Sequence, residues 1–385
     1  MRFKRLLKPP PQSFFLFGPR GTGKSTWLRD HFKPDLTVDL LRSDEFLQLS
    51  ADPSQLRHRV EALPAKSKVV IDEIQKLPIL LDEVHALIFK HGTKLQFALT
   101  GSSARKLKQT NANMLAGRAV KREMLALSMM EMGKSFHLND ALKFGTLPGL
   151  SHLSSDEDKA DFLYSYVETY LREEIMREAA VRQLQNYHRF LRHAAIMNGH
   201  VLNLSNISRE AGVARSTVDG YFEILVDTLL GVFVDPIHLK AKVKEVVTPK
   251  FYFFDCGITR AIRGELADPL GESAGFLLET FVLNELRAYS SYFNKNYEFN
   301  YWATPSGTEV DFIVSRGKSK WAIEVKTSKR WDSNFNKGLH SAAASRQLDR
   351  LIGVYQGQHR LKFEDIDVYP IQDFCKELFA GRLLS

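Results

Sequence analysis

Two stretches of this 385-residue chain carry residue types at spacings that phosphate chemistry uses. The first reads Gly18-Pro19-Arg20-Gly21-Thr22-Gly23-Lys24-Ser25-Thr26, in which Gly18, Gly23, Lys24 and Ser25 complete the P-loop pattern G-x-x-x-x-G-K-[ST]. Such glycines let a loop wrap a phosphate with backbone N–H groups, and a helix start adds positive potential. Lys24 is expected to reach the β- and γ-phosphates, and the Ser25 hydroxyl to bind Mg²⁺. A second half of the site follows at Val69-Val70-Ile71-Asp72-Glu73. Asp72 is expected to hold Mg²⁺ through water, and Glu73 to orient and polarise the attacking water. The cofactors this predicts are ATP and Mg²⁺.

The second stretch spans residues 307 to 326. Glu309-Val310-Asp311-Phe312-Ile313-Val314 is followed by a Gly317-Lys318 turn and Lys320-Trp321-Ala322-Ile323-Glu324-Val325-Lys326. Two apolar runs around a glycine turn predict a β-hairpin. A two-residue turn pairs Ser319 with Arg316, and counting onward sets Glu324 opposite Asp311. Lys326 shares their face because strand side chains alternate. Opposed carboxylates repel, and a Mg²⁺ would relieve the conflict while lowering the pKa of a bound water.

The elements that must position these groups are legible nearby. Phe14-Phe15-Leu16-Phe17 is a strand-length apolar run before the loop, and Ser25 onward opens a helix. The run ending at Asp72 predicts a buried parallel strand with its acids at the carboxyl edge, where open α/β sheets bind ligands. A third strand, Leu95 to Thr100, leads to Ser102 and Ser103, either of which can sense a γ-phosphate; Ser102 is preferred. Arg118 is a candidate for stabilising transition-state charge, in cis or from a neighbouring subunit.

Together GPRGTGKST, LTGSSARKL at 99–107 and LAGRAV at 115–120 resemble a family of prokaryotic AAA-superfamily ATP-binding proteins. In that family an ATPase precedes a helical and winged-helix segment and a C-terminal PD-(D/E)XK nuclease-like domain. The resemblance covers nearly the whole chain. It implies an α/β fold with a parallel P-loop NTPase sheet, Asp72 and Glu73 in Walker B roles, and Ser102 as sensor-1. The D…ExK pattern of Asp311, Glu324 and Lys326 resembles the nuclease core, although its proline is absent. Glu279, on an amphipathic run at 275–286, matches the helical glutamate that adds a metal ligand there, with Glu285 the weaker choice. Lys326 would then position a water or steady phosphorane charge.

Domain boundaries are expected near 130 and 245: an ATPase over 1–130, a helical and winged-helix unit over 131–245 and a nuclease-like unit over 246–385. Residues 131–160 carry loop signals, including the polar run 154–159. A helical stripe from Asp161 to about Asn198 includes Phe162, Leu163, Tyr166, Val167, Tyr170, Leu171 and Ile175, and reads as core. Residues 204–225 read as a helix, a Gly212 turn and a second helix presenting Arg215, Ser216, Thr217 and Tyr221. Leu229–Val234 would start a wing, with Lys240–Lys244 at its tip. Trp302, Trp321 and Trp331 are assigned to the core rather than to base stacking.

Composition is that of a globular protein, 44% hydrophobic and 25% charged. Apolar runs are too short for a membrane span, and the N-terminus lacks a secretory core. Only Cys256 and Cys375 occur, against a disulfide framework or a cysteine-rich zinc site, and the cytoplasm is the expected location. The formal charge of +8 and a pI near 9.2 favour a nucleic-acid partner, DNA before RNA. A homo-oligomer and a protein partner are both compatible with a site of this type. The expected function is ATP hydrolysis coupled to a DNA-associated, Mg-dependent nuclease-like domain. The alternatives are a nucleotide-gated binding switch with an inactive nuclease-like platform, and a DNA translocase or remodeler.

Overall fold

A computed structural model describes residues 3–102, 115, 117–171, 184–239, 244–345 and 347–384. The N-terminal part is built on β1 (Phe14–Phe17), β2 (Leu36–Asp39), β3 (Ser67–Asp72), β4 (Leu95–Gly101) and β5 (Val120–Glu123). Among the described residues these form one parallel sheet in the order β2-β3-β4-β1-β5. Its central strands β1, β3 and β4 are apolar on both faces, as parallel strands covered on both sides must be. Phe15, Phe17, Ile71 and Leu99 belong to one core, and Phe14, Leu16, Val70 and Ala98 to another. Around the sheet lie α1 (Lys24–Trp27), α2 (Ser43–Ala51), α3 (Ser54–Glu61) and α4 (Leu80–His91).

The middle contains α5 (Met129–Met132), α6 (Leu138–Phe144), α7 (Asp156–Ser165), α8 (Leu184–Ile196), α9 (Leu204–Ala211) and α10 (Arg215–Asp227). The polar run at 154–159 is no loop. Ser155 accepts a hydrogen bond from the Asp158 amide at 3.0 Å, and three acids fill the first turn of α7. A capping hydroxyl with acids at a helix N-terminus offsets the unpaired amides, so the helix begins five residues before Asp161. The side chains of Tyr170, Leu171 and Ile175 lie outside the described residues. Gly212, at φ 68°, turns α9 into α10. Arg215 and Ser216 are exposed and Thr217 partly so, but Tyr221 is not. Tyr221 follows Val218 by one helical step, faces inward and packs edge-on against Tyr187. That corrects its expected surface role.

β6 (Gly231–Pro236) and β7 (Lys250–Phe253) form an antiparallel hairpin after α10. Lys240–Val243, the expected wing tip, lies outside the described residues. The hairpin does not stand alone, because β6 also pairs in parallel with β8 (Glu298–Ala303). Continuing the same sheet are β9 (Glu309–Arg316), β10 (Ser319–Lys326), β11 (Arg350–Tyr355), β12 (Leu361–Phe363) and β13 (Ile366–Pro370). Its order is β12-β13-β11-β10-β9-β8-β6-β7. Helices α11 (Cys256–Arg263), α12 (Ala274–Tyr292), α13 (Asn336–Ala343) and α14 (Ile371–Phe379) complete this part. Trp302, Trp321 and Trp331 are all buried. Among the described residues no helix is long and apolar enough to cross a membrane.

Helix α12 ties the parts together. Near its C-terminal end Arg287 donates to Glu123 at 2.6 Å, and the Tyr292 hydroxyl accepts from Arg5 at 2.7 Å and from the Leu125 amide at 3.2 Å. Glu279 stands near its other end, about 20 Å from Tyr292 at the rise of an α-helix.

Candidate functional site

The phosphate-binding pattern closes into a loop between β1 and α1. Gly21 and Gly23 have φ of 78° and 91°, which glycine adopts without steric cost. Gly18 is required for another reason: a Cβ there would lie 2.2 Å from the Met124 carbonyl oxygen. Lys24 is buried and donates to the carbonyls of Gly18 at 2.6 Å and Pro19 at 3.0 Å. Thr22 donates to the Pro19 carbonyl at 2.8 Å, so Pro19 braces the loop from within.

The parallel register brings Asp72, at the end of β3, to the same sheet edge. Ser25 donates to Asp72 at 3.1 Å, and the Thr100 hydroxyl donates to its other oxygen. A hydroxyl and a carboxylate side by side suit a hard cation such as Mg²⁺. Glu73 has φ 60°, an uncommon conformation for a non-glycine residue, held by its amide donating to Thr100 at 3.2 Å. The Gln75 amide nitrogen donates to the Glu73 carboxylate at 2.7 Å and to the Ser102 hydroxyl at 3.1 Å. Ser102 therefore connects to the site through Gln75, whereas Thr100 touches Asp72 directly. Ser103, the other γ-phosphate candidate, lies outside the described residues.

These groups open on a cavity of about 800 Å³ lined by Arg20 through Thr26, Asp72 and Glu73. Its far wall comes from the middle of the chain: Pro148, Gly149, His152, Phe162 and Tyr166. The Tyr166 hydroxyl donates to the Arg20 carbonyl at 3.0 Å. Sequence periodicity assigns Phe162 and Tyr166 to a core, and no local signal marks them as walls of this cavity.

Arg118 is elsewhere. β5 runs parallel to β1, with Phe14 beside Val120 and Phe17 beside Glu123. The P-loop follows Phe17, but Arg118 precedes Val120, so the two occupy opposite sheet edges. The four residues of β5, about 13 Å at strand rise, lie between Arg118 and Met124 beside Gly18. Arg118 instead contacts His85, and its guanidinium lies 5.8 Å from the Phe89 ring centre, both on α4. In this structure Arg118 does not reach its own P-loop.

The second cluster forms at the β9–β10 hairpin. Gly317, at φ 61°, opens a two-residue turn, and Ser319 pairs with Arg316 as the turn chemistry predicts. Pairing runs to Ile323 beside Phe312, and the next step sets Glu324 beside Asp311. Lys326 binds Glu324 and lies 3.8 Å from Asp311, which also accepts the Val325 amide at 2.7 Å. Glu279 accepts a hydrogen bond from Tyr252 at 2.7 Å and lies 3.9 Å from the Lys250 ammonium. Glu285 is not part of this cluster; it accepts the Met129 amide at 2.8 Å. Lys250, Tyr252 and Glu309 join the cluster although no motif marks them. Glu309 alone carries a local signal, standing two residues before Asp311 on the same strand.

Burial dominates the electrostatics here. It raises the Glu279 carboxyl to about 8, with Asp311 adding to the rise and Lys250 and Tyr252 opposing it. Glu324 is likewise pushed well up by burial and by Asp311, against Lys326. Burial acts to lower Lys326, but Asp311 and Glu324 outweigh it and hold the ammonium above its ordinary range. One Glu324 oxygen, Oε2, is buried without a hydrogen-bond partner among the described residues, which fits a cation ligand. The carboxylates are nevertheless not drawn up as a finished metal cage. Among the described residues the one trio with ligand atoms all within 4.8 Å is His340, Glu364 and Asp365, which is exposed and separate from this cluster.

Three family models match this chain. Residues 135–268 and 274–374 match domains of unknown function, DUF8612 and DUF4143. Similar proteins include an uncharacterized protein of Mycobacterium tuberculosis, 27% identical over 389 residues, covering 100% of this chain and 83% of that protein. An uncharacterized protein of Methanocaldococcus jannaschii is 22% identical over 339 residues, covering 80% of this chain and 73% of its own length. Residues 11–133 match the model of an AAA domain. That match, with the loop and carboxylates above, puts an AAA-type P-loop nucleotide-binding domain at the N-terminus.

Proposed function

We propose that this chain is an ATP-hydrolysing, DNA-associated protein whose AAA-type ATPase is coupled to a Mg-dependent, PD-(D/E)XK nuclease-like C-terminal unit. The observation that carries the reading is the presence of two separate phosphate-type constellations joined by one helix, α12. At the first, Lys24 meets the β- and γ-phosphates once released from the Gly18 and Pro19 carbonyls, and the loop amides from Arg20 to Thr26 cradle the chain of phosphates. Ser25 and Asp72 hold Mg²⁺. Glu73, oriented by Gln75, accepts a proton from the attacking water. At the second, Asp311, Glu324 and Glu279 supply oxygens to a divalent ion, and Lys326 orients a water. Mg²⁺, when bound, supplies charge neutralisation at phosphate oxygens and a more acidic water. Exposed Arg215 and Ser216 at the start of α10 offer phosphate contacts.

The test is cleavage of a panel of labelled DNAs with Mg²⁺ or Mn²⁺, with and without ATP, by wild type and Asp311→Ala. Cutting lost in the variant supports the reading. No cutting by either, with ATP hydrolysis intact, removes the nuclease activity from it.

A second reading is favoured by one observation. Lys326 already neutralises Asp311 and Glu324, which a binding platform without turnover would also do. In that nucleotide-gated switch Asp311→Ala leaves partner binding unchanged, while Lys24→Ala abolishes its control by ATP.

A further inference from the structure

The carboxylate cluster contains a second lysine that comes from outside the hairpin. Lys250 opens β7, and its side chain is only 2% exposed. Its ammonium binds Glu309 and lies 3.9 Å from Glu279 and 5.2 Å from the ring centre of Tyr301. Tyr252, two residues on and therefore on the same face of β7, donates to the same Glu279 oxygen that Lys250 approaches. A buried ammonium is costly unless paired, and this one is paired twice.

The cluster thus divides into two halves with the same design. Lys250 sits between Glu279 and Glu309, and Lys326 sits between Asp311 and Glu324. Four carboxylates against two ammonium groups leave a formal charge of −2, which one divalent cation balances; without Lys250 the Glu279–Glu309 pair carries −2 of its own and calls for a second cation. The halves differ in access. Lys326 is 30% exposed and can swing aside, whereas Lys250 is enclosed. The partnerless oxygen of Glu324 lies in the half that can open.

We propose that Lys250 is a positioning residue that serves as a resident cation for Glu279 and Glu309 and limits the cluster to one divalent ion, taken in the Asp311–Glu324 half. The inference rests on the reading of this cluster as a metal site. Lys250 stands where a second ion would otherwise be needed, and Tyr252 fixes the orientation of Glu279 toward the remaining one. The ligand class is a single hard divalent cation, Mg²⁺ or Mn²⁺, with oxygen donors.

The experiment is a count of bound Mn²⁺ per chain by titration of the full-length, nucleotide-free protein. Asp311→Asn/Glu324→Gln serves as the control, so that any ion at the P-loop cancels. Wild type is expected to bind one ion above the control, Lys250→Met two, and Lys250→Met/Glu309→Gln one. Two ions on wild type, or one on folded Lys250→Met, overturns the inference while leaving the metal site standing. No ion on wild type above the control overturns the metal-site reading itself. If circular dichroism finds Lys250→Met unfolded, the same counts on Lys250→Gln, which keeps a polar side chain without the charge, decide the question.

Discussion

The Tyr166 hydroxyl donates to the carbonyl of Arg20 across 146 residues of sequence, and so joins the middle of the chain to the phosphate loop. The ring edge of Tyr166 also stands 3.5 Å from where a Cβ on Gly21 would be. A loop whose amides must point at phosphates loses precision if its carbonyls are unpinned. Tyr166→Phe removes a hydrogen bond of about 1 kcal/mol, which is about fivefold in affinity. Calorimetric titration should show ATP binding weakened by that factor, and more in Tyr166→Ala, which also opens the cavity wall. Unchanged affinity in Tyr166→Ala would mean that the middle segment covers the site without shaping it.

Arg118 yields a prediction of the opposite kind. It lies at the far sheet edge from its own P-loop, so Arg118→Ala should leave ATP affinity and the turnover of dilute, separate chains unchanged. Were a neighbouring subunit to receive this arginine, turnover would fall only at concentrations where chains associate, by about 10³-fold as for arginines supplied in trans. Turnover measured across a dilution series separates the cases. An equal loss at every concentration contradicts the placement of Arg118 at the far edge.

Lys24 and Glu73 should fail differently. Lys24 meets the phosphates in the ground state, so Lys24→Ala should weaken binding and abolish hydrolysis together. Glu73 acts on water, so Glu73→Gln should retain ATP binding and lose about 10²- to 10⁴-fold in turnover. Filter binding beside phosphate release distinguishes them. Gln75→Ala should give a milder form of the Glu73 defect, because Gln75 steers that carboxylate without meeting water itself.

What sequence reveals here depends on the range of the interaction. The Asp311–Glu324 pairing is legible because a two-residue glycine turn sets the register of the strands beside it, and strand alternation does the rest. Ser25 and Asp72 are legible because each sits in its own local pattern, a strand–loop–helix unit and an apolar strand ending in two acids, within one parallel sheet. Tyr166 and Lys250 are not. Tyr166 belongs to an apolar stripe whose spacing is the same whether it meets a core or a phosphate loop. Lys250 follows a basic stretch that composition assigns to a wing, and only pairing of β6 with β8 carries it into the second sheet. The start of α7 is obscured for a different reason: Ser155 and its acids are loop-like in composition but helix-starting in position.

Glu285 supplies a test by pH. It is enclosed beside Met129 and Cys375, and burial raises its carboxyl to about 8, with the Met129 amide opposing the rise and Glu131 adding to it. The folded state therefore holds this proton more tightly than the unfolded chain, where a glutamate titrates at about 4.3. Its contribution to stability is full below that value and is lost as pH rises through about 8. Glu285→Gln keeps the shape and cannot ionise. The unfolding midpoint of the variant in urea should exceed that of wild type by a margin that grows from pH 5 to pH 8 and then levels off. At pH 8 the margin should be on the order of 5 kcal/mol, since each tenfold change in proton affinity corresponds to about 1.4 kcal/mol and the two values lie nearly four such steps apart. A margin that stays constant with pH would show that Glu285 ionises in the folded state as it does in the unfolded chain, so that burial does not raise its carboxyl. Because Glu285 and Glu279 share α12, the same titrations on Glu279→Gln would report whether the helix carries one ionisation or two between the nucleotide domain and the carboxylate cluster.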